Sequence, residues 1–141
     1  MPALVIDASL ASAWCFPDEQ TEYTKRVLQA IANGADAFAP RIWAYEVRNS
    51  VLIGSGRGRI SKADAREFLV ALNDLPVRLV DPPSYDAVLA LAELRLLTFY
   101  DAAYLDLALR KGLPLASLDK ALCRAAEGSE VRLSDPAAAG E

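Results

Sequence analysis

Histidine is absent from all 141 residues. That absence removes the side chain most often used as a general acid or base near neutrality, and with it the imidazole ligand common in zinc sites. Cysteine is nearly as scarce. Cys15 and Cys123 form no CxxC pair and stand in apolar helical contexts beside Trp14 and Leu122, so two buried free thiols in a reducing compartment are expected rather than a disulfide framework. No stretch approaches the length needed to span a bilayer, and the chain opens on the strand-like ALVID without a basic segment leading a long apolar run. A soluble, cytoplasmic protein with no membrane attachment is the expectation. Internal repeats and low-complexity segments are missing too, apart from the tail DPAAAGE. Positive charge is short: 15 basic residues face 19 acidic ones, a net charge of -4, which argues against holding nucleic acid by global charge alone.

The deficit is uneven. Between Arg41 and Arg66 six basic residues (Arg41, Arg48, Arg57, Arg59, Lys62, Arg66) face only Glu46 and Asp64, a local +4, so the remainder carries -8. Arg48, Arg57 and Arg59 are therefore candidates for phosphate contacts, set against the plainer reading of a solvated helix and loop. A length of 141 residues suits one domain and buries roughly 70% of the unfolded surface. We place that domain at 1–133, with 134–141 as a flexible tail. The hydrophobic fraction of 53% is high for a small soluble domain, so part of the surface is expected to be covered by a partner.

Strand and helix patterns alternate along the chain. ALVID is a continuous apolar run of the kind a parallel strand buried on both faces shows. Ser9 is placed to cap a helix through about Phe16, a second helix runs from near Asp18 to Asn33 and stops at Gly34, and AFAP is a brief strand. RIWAYEVRNSVLIGSG reads as the third helix, and Ser61 opens KADAREFLVALND with a capping box. VRLV is a strand, Ser84 starts a helix toward Leu96, and TFYDAAYLDLALRKG is a helix ended by Gly112. PLAS, DKALCRAAEG and a last strand VRL follow. The alternation predicts an α/β fold, a mostly parallel sheet covered on both faces, in which ligands bind beyond the carboxyl ends of the strands.

Acids sit where this pattern has little use for them. Asp101 shares the stripe of Tyr104, Leu105 and Ala108, where a lone carboxylate facing a packed interior is costly. Glu46 interrupts a stripe of Ile42, Asn49 and Ile53 at i, i+4, i+7, i+11 spacing. Asp7 closes ALVID and Asp119 follows PLAS, so a parallel sheet brings both to one rim, and Ser117 points the same way as Asp119. Each has a plain explanation: Thr98 and Asp101 fit a capping box, Asp7 and Asp119 are placed to cap the helices after them, and Glu46 has Arg41 and Arg48 within reach. Asp106 falls on another face, four residues before Arg110 at the spacing of a surface ion pair, and is left out of the site. One shared explanation covers the four acids: carboxylates gathered at a rim repel one another unless protonated or neutralised by a multivalent cation. With hard oxygen donors and no histidine, Mg²⁺ or Mn²⁺ suits such a site better than Zn²⁺.

VIDAS, YEVRN, YDAAYLDLA and LASLD, in this order and spacing across about residues 3 to 133, resemble the PIN-domain family, and most closely its VapC-type toxins of bacterial toxin–antitoxin pairs. The resemblance implies a three-layer α/β/α sandwich. It also implies an endoribonuclease using Mg²⁺ or Mn²⁺ held by Asp7, Glu46, Asp101 and Asp119, with Ser9, Asn49 and Ser117 in supporting polar positions. Ser117 stands where the family often has threonine, a change that keeps the hydroxyl. A small VapB-type antitoxin is implied as well, its apolar helix in a groove and its C-terminal segment over the acidic pocket, together with a homodimer. Two other readings remain at this stage. An acidic-pocket phosphohydrolase or phosphotransfer domain would also gather acids at a rim, although the second aspartate usual there is Ser9. A non-catalytic PIN-like interaction module would suit the apolar composition.

Overall fold

The structure, a computed structural model, describes residues 2–129 and 131–134. In chain order the elements are β1 (Ala3–Ile6), α1 (Ala8–Ala13), a 3-10 turn (Pro17–Glu19), α2 (Glu22–Ala32), β2 (Asp36–Pro40), α3 (Ile42–Gly56), α4 (Lys62–Asn73), β3 (Val77–Val80), α5 (Tyr85–Arg95), α6 (Phe99–Lys111), β4 (Leu115–Ala116) and α7 (Lys120–Gly128). The four strands form one parallel sheet in the order β3-β2-β1-β4. Leu4 stands opposite Ala37, and Ile6 opposite Ala116. The run that suggested a doubly covered strand is one, since Leu4, Val5 and Ile6 are all buried. Helix α6 lies over β1 and β2 between α5 and α7, and α1 packs against α2 and α3, with α4 on α3. These layers make the expected α/β/α sandwich.

Local chemistry shifts several boundaries. Ser9 lies inside α1; the cap is Asp7, whose side chain accepts from the Leu10 N–H. Helix α2 begins at Glu22 rather than near Asp18, because Pro17–Glu19 close a 3-10 turn first and Thr21 and Thr24 then form a capping box. The last strand VRL is reduced to one parallel bridge between Leu115 and Leu133. In α3 the buried stripe is Trp43, Val47, Val51 and Gly54, one residue on from the expected one, and Ile53 is exposed. Asp106 does pair with Arg110, at 2.7 Å, but as a buried side chain rather than on the surface. The tail expected from 134 onward lies outside the described residues except for Ser134, whose N–H donates to the Leu115 carbonyl.

Candidate active site

Asp7, Glu46, Asp101 and Asp119 line one cavity of about 250 Å³, together with Ala8, Ser9, Asn49, Ser50 and Tyr104. Four separate segments deliver the acids. Asp7 leaves the carboxyl end of β1, and Asp119 lies three residues beyond the end of β4, the strand beside it. Glu46 comes from the first turns of α3 and Asp101 from the first turn of α6. Parallel pairing puts the first two at one rim, and the helix packing brings the others above it. Ser9 and Asn49 also line the cavity, whereas Ser117 stands behind it, buried.

Asp7 is the most enclosed of the four, at 3% exposure. Its Oδ1 accepts from the Leu10 N–H at 2.9 Å, and Ser9 Oγ stands 2.8 Å from both carboxylate oxygens as donor. Ser117, the residue directly after β4, donates to Oδ2 through its Oγ. Both hydroxyls are themselves fixed by backbone donors: the Leu118 N–H reaches Ser9 Oγ at 3.0 Å and the Asp119 N–H reaches Ser117 Oγ at 2.9 Å. Trp43 Nε1 donates to the Asp7 carbonyl at 3.2 Å, joining the start of α3 to the end of β1. Burial pushes the Asp7 carboxyl up to about 6, against the pull of Ser117, Leu10 and Ser9, and Asp119 adds repulsion.

Asp101 is also raised, first by burial and then by the negative charges of Asp119 and Glu46. The Thr98 side chain accepts from its backbone N–H at 3.1 Å, so the cap is present and the carboxylate still lines the cavity. Asp119 likewise serves twice: its Oδ1 accepts from the Leu122 N–H at 2.9 Å as the cap of α7, and its side chain lines the same cavity. A capping role and a place on the cavity wall are thus not alternatives at Asp7, Asp101 or Asp119. Glu46 has neither expected arginine beside it. Arg41 pairs with Asp81 at 3.1 Å, and Arg48 donates to the Ala44 carbonyl and to Asn73 Oδ1, each at 2.8 Å. Glu46 Oε1 instead accepts from the Tyr104 hydroxyl at 2.7 Å.

The donor set fits a hard divalent cation: four carboxylates share a cavity, and two are held partly toward their neutral forms by burial and mutual repulsion. Among the described residues, no three Asp, Glu or Cys side chains converge on one point as they stand. Of the candidate phosphate contacts, Arg57 is exposed. Arg48 is engaged as above, and Arg59 bonds Asp18 and Glu19 while lying over the Phe16 ring at 4.1 Å. Tyr104 reads in the sequence only as part of a buried stripe, and Ser50 and Trp43 carry no sequence signal of the cavity. A tyrosine or tryptophan on a buried stripe reads as core, and only a partner across the fold distinguishes it.

The model of the PIN domain matches residues 4–128. The chain is 33% identical over 123 residues to the protein named Ribonuclease VapC3 from Pyrobaculum aerophilum, covering 84% of this chain and 91% of that one. Among solved structures it is similar to PAE2754 from Pyrobaculum aerophilum, with a TM-score of 0.72, 27% identity and coverage of 98% and 93%. Two more distant likenesses concern the fold alone. VapC20 of Mycobacterium tuberculosis, described as a Sarcin-Ricin loop cleaving toxin, has a TM-score of 0.57 at 14% identity, covering 86% of this chain and 94% of that one. FitAcB from Neisseria gonorrhoeae has a TM-score of 0.59 at 17% identity, covering 94% and 97%.

Proposed function

The chain belongs to the PIN-domain family, and from that premise we propose that it is a metal-dependent endoribonuclease, the toxin of a type II toxin–antitoxin pair. The observation that carries this reading is the meeting of Asp7, Glu46, Asp101 and Asp119, from four separate segments, around one cavity. A bound Mg²⁺ or Mn²⁺ supplies Lewis-acid stabilisation of a phosphodiester and lowers the pKa of water. The four carboxylates would hold that ion, directly or through water. Glu46 is ligand or water-orienting base, and its Oε2, which has no hydrogen bond among the described residues, is the oxygen free for either task. Ser9 and Ser117 keep Asp7 aimed through their hydroxyls, and Asn49 offers a neutral amide at the cavity wall. The products are a 5′-phosphate and a 3′-hydroxyl.

The phosphotransfer alternative lacks its usual second aspartate two residues after the first: Ser9 stands there, and its hydroxyl donates to Asp7. The Arg41–Arg66 region supplies substrate contacts in this reading, led by exposed Arg57, since Arg48 and Arg59 must first leave the partners they have. The partners of the whole protein are RNA, a VapB-type antitoxin whose apolar helix covers exposed hydrophobic surface, and a second copy of the chain. Asp7→Asn and Asp101→Asn each remove one negative charge at nearly constant shape. Each variant should lose RNA cleavage, followed by sequencing of new 5′ ends, while keeping the far-ultraviolet circular dichroism of the parent. Cleavage that continues in excess chelator refutes the proposal.

A further inference from the structure

Tyr104 is 1% exposed on α6, three residues beyond Asp101, and its hydroxyl crosses 58 positions of sequence to reach Glu46 on α3. A buried phenol needs a hydrogen-bond partner. Here it takes the one carboxylate of the cavity that neither caps a helix nor lies near a helix start carrying its own cap. No arginine does the same work: Arg41 is turned to Asp81, and Arg48 to Ala44 and Asn73. The 2.7 Å bond from Tyr104 is the single hydrogen bond to the Glu46 side chain among the described residues. A long glutamate side chain with one anchor has one preferred direction, and without it the carboxylate samples several rotamers.

We propose that Tyr104 is the positioning residue of the Glu46 carboxylate. It consumes Oε1 and leaves Oε2 to the contents of the cavity, so that α6 supplies Asp101 as a cavity acid and Tyr104 as the support of another. The inference rests on the ribonuclease reading above. Partners of ligating groups typically matter 10- to 100-fold in metal affinity. Tyr104→Phe removes one oxygen and keeps the buried ring, so Mn²⁺ binding followed by titration calorimetry should weaken by roughly that factor. In a Glu46→Ala background the same change should leave Mn²⁺ affinity as it was, because nothing remains to be positioned. A merely structural role predicts the reverse pattern: a lower melting temperature by the same amount in both backgrounds, with Mn²⁺ affinity unmoved. Tyr104→Met, which fills the buried site with a flexible apolar side chain and has no hydroxyl, serves in both backgrounds if Tyr104→Phe does not fold. Unchanged affinity in Tyr104→Phe, or equal losses in both backgrounds, overturns the inference. If the parent protein binds no Mn²⁺, the metal-dependent reading falls and this inference with it, whereas normal parent binding with an unaffected Tyr104→Phe removes the inference alone.

Discussion

At Asp7, burial and hydrogen bonding pull the carboxyl in opposite directions, and burial prevails, holding it at about 6. An unfolded aspartate ionises near 3.9, so between these two values the folded chain binds more protons than the unfolded one, and stability must fall as pH rises through that window. The stabilising condition is thus the acidic side. With metal removed by chelator, denaturant unfolding should show a loss on the order of 2 kcal/mol between pH 4 and pH 7 attributable to this residue. Asp7→Asn should flatten most of that slope and be the more stable protein at pH 7 in chelator, with a smaller residual slope from Asp101, whose carboxyl is also raised. Equal slopes in parent and variant would show that Asp7 is not held toward its neutral form. The acids were legible in the sequence because carboxylates at strand ends and on apolar stripes conflict with burial unless something answers them. Tyr104 was not, because a tyrosine satisfies a buried stripe and its hydroxyl partner, Glu46, is fixed only by how α6 and α3 cross the sheet.

Elements followed the sequence wherever a local rule had no competitor. Gly34 and Gly112 end α2 and α6 with positive φ as expected, and Ser61, Ser84 and Thr98 cap their helices. The start of α2 escaped because two signals compete: Asp18 is a good cap, but Pro17 begins a 3-10 turn and the reciprocal Thr21 and Thr24 bonds secure the later start. In α3 the two candidate stripes differ by one residue in register. The choice is made by packing, since Gly54 leaves room against which the Phe16 ring lies, and a Cβ added there would strike that ring. Phe16 cannot retreat easily, being 2% exposed with Arg59 over its ring. Gly54→Ala is accordingly predicted to destabilise the protein by about 1–3 kcal/mol through overpacking, although alanine is the better helix former by about 1 kcal/mol. Thermal or denaturant unfolding checks the sign: a stabilised Gly54→Ala would mean that propensity outweighs the Phe16 contact.

Across the whole molecule, the charge imbalance visible in the sequence is partly cancelled by the fold. Arg41 pairs with Asp81, and Arg59 with Asp18 and Glu19, each joining the positive stretch to the acidic remainder. Such exposed pairs add little stability, but they leave less free positive surface than the local +4 suggests. Apolar surface is exposed as well. Tyr45 and Leu52 are each 70% exposed and two turns apart on α3, so they share one outward face, and Tyr85 at the start of α5 is 65% exposed. Arg41, exposed at the N-cap of α3, stands four residues before Tyr45, one turn away along the same helix. Tyrosine and arginine together are the residue types that concentrate binding energy in protein interfaces. A second copy meeting the α3 face buries Tyr45 and Leu52 without enclosing an unpaired charge, because Arg41 already carries Asp81. The chain is therefore predicted to be dimeric by light scattering, and Tyr45→Lys combined with Leu52→Lys should yield a monomer by placing two like charges in each copy of the interface. Neither residue belongs to the buried stripe of α3, so circular dichroism should be unchanged. A double variant that remains dimeric would remove this face from the interface, and a parent that is monomeric at all concentrations would leave the exposed tyrosines to the antitoxin alone.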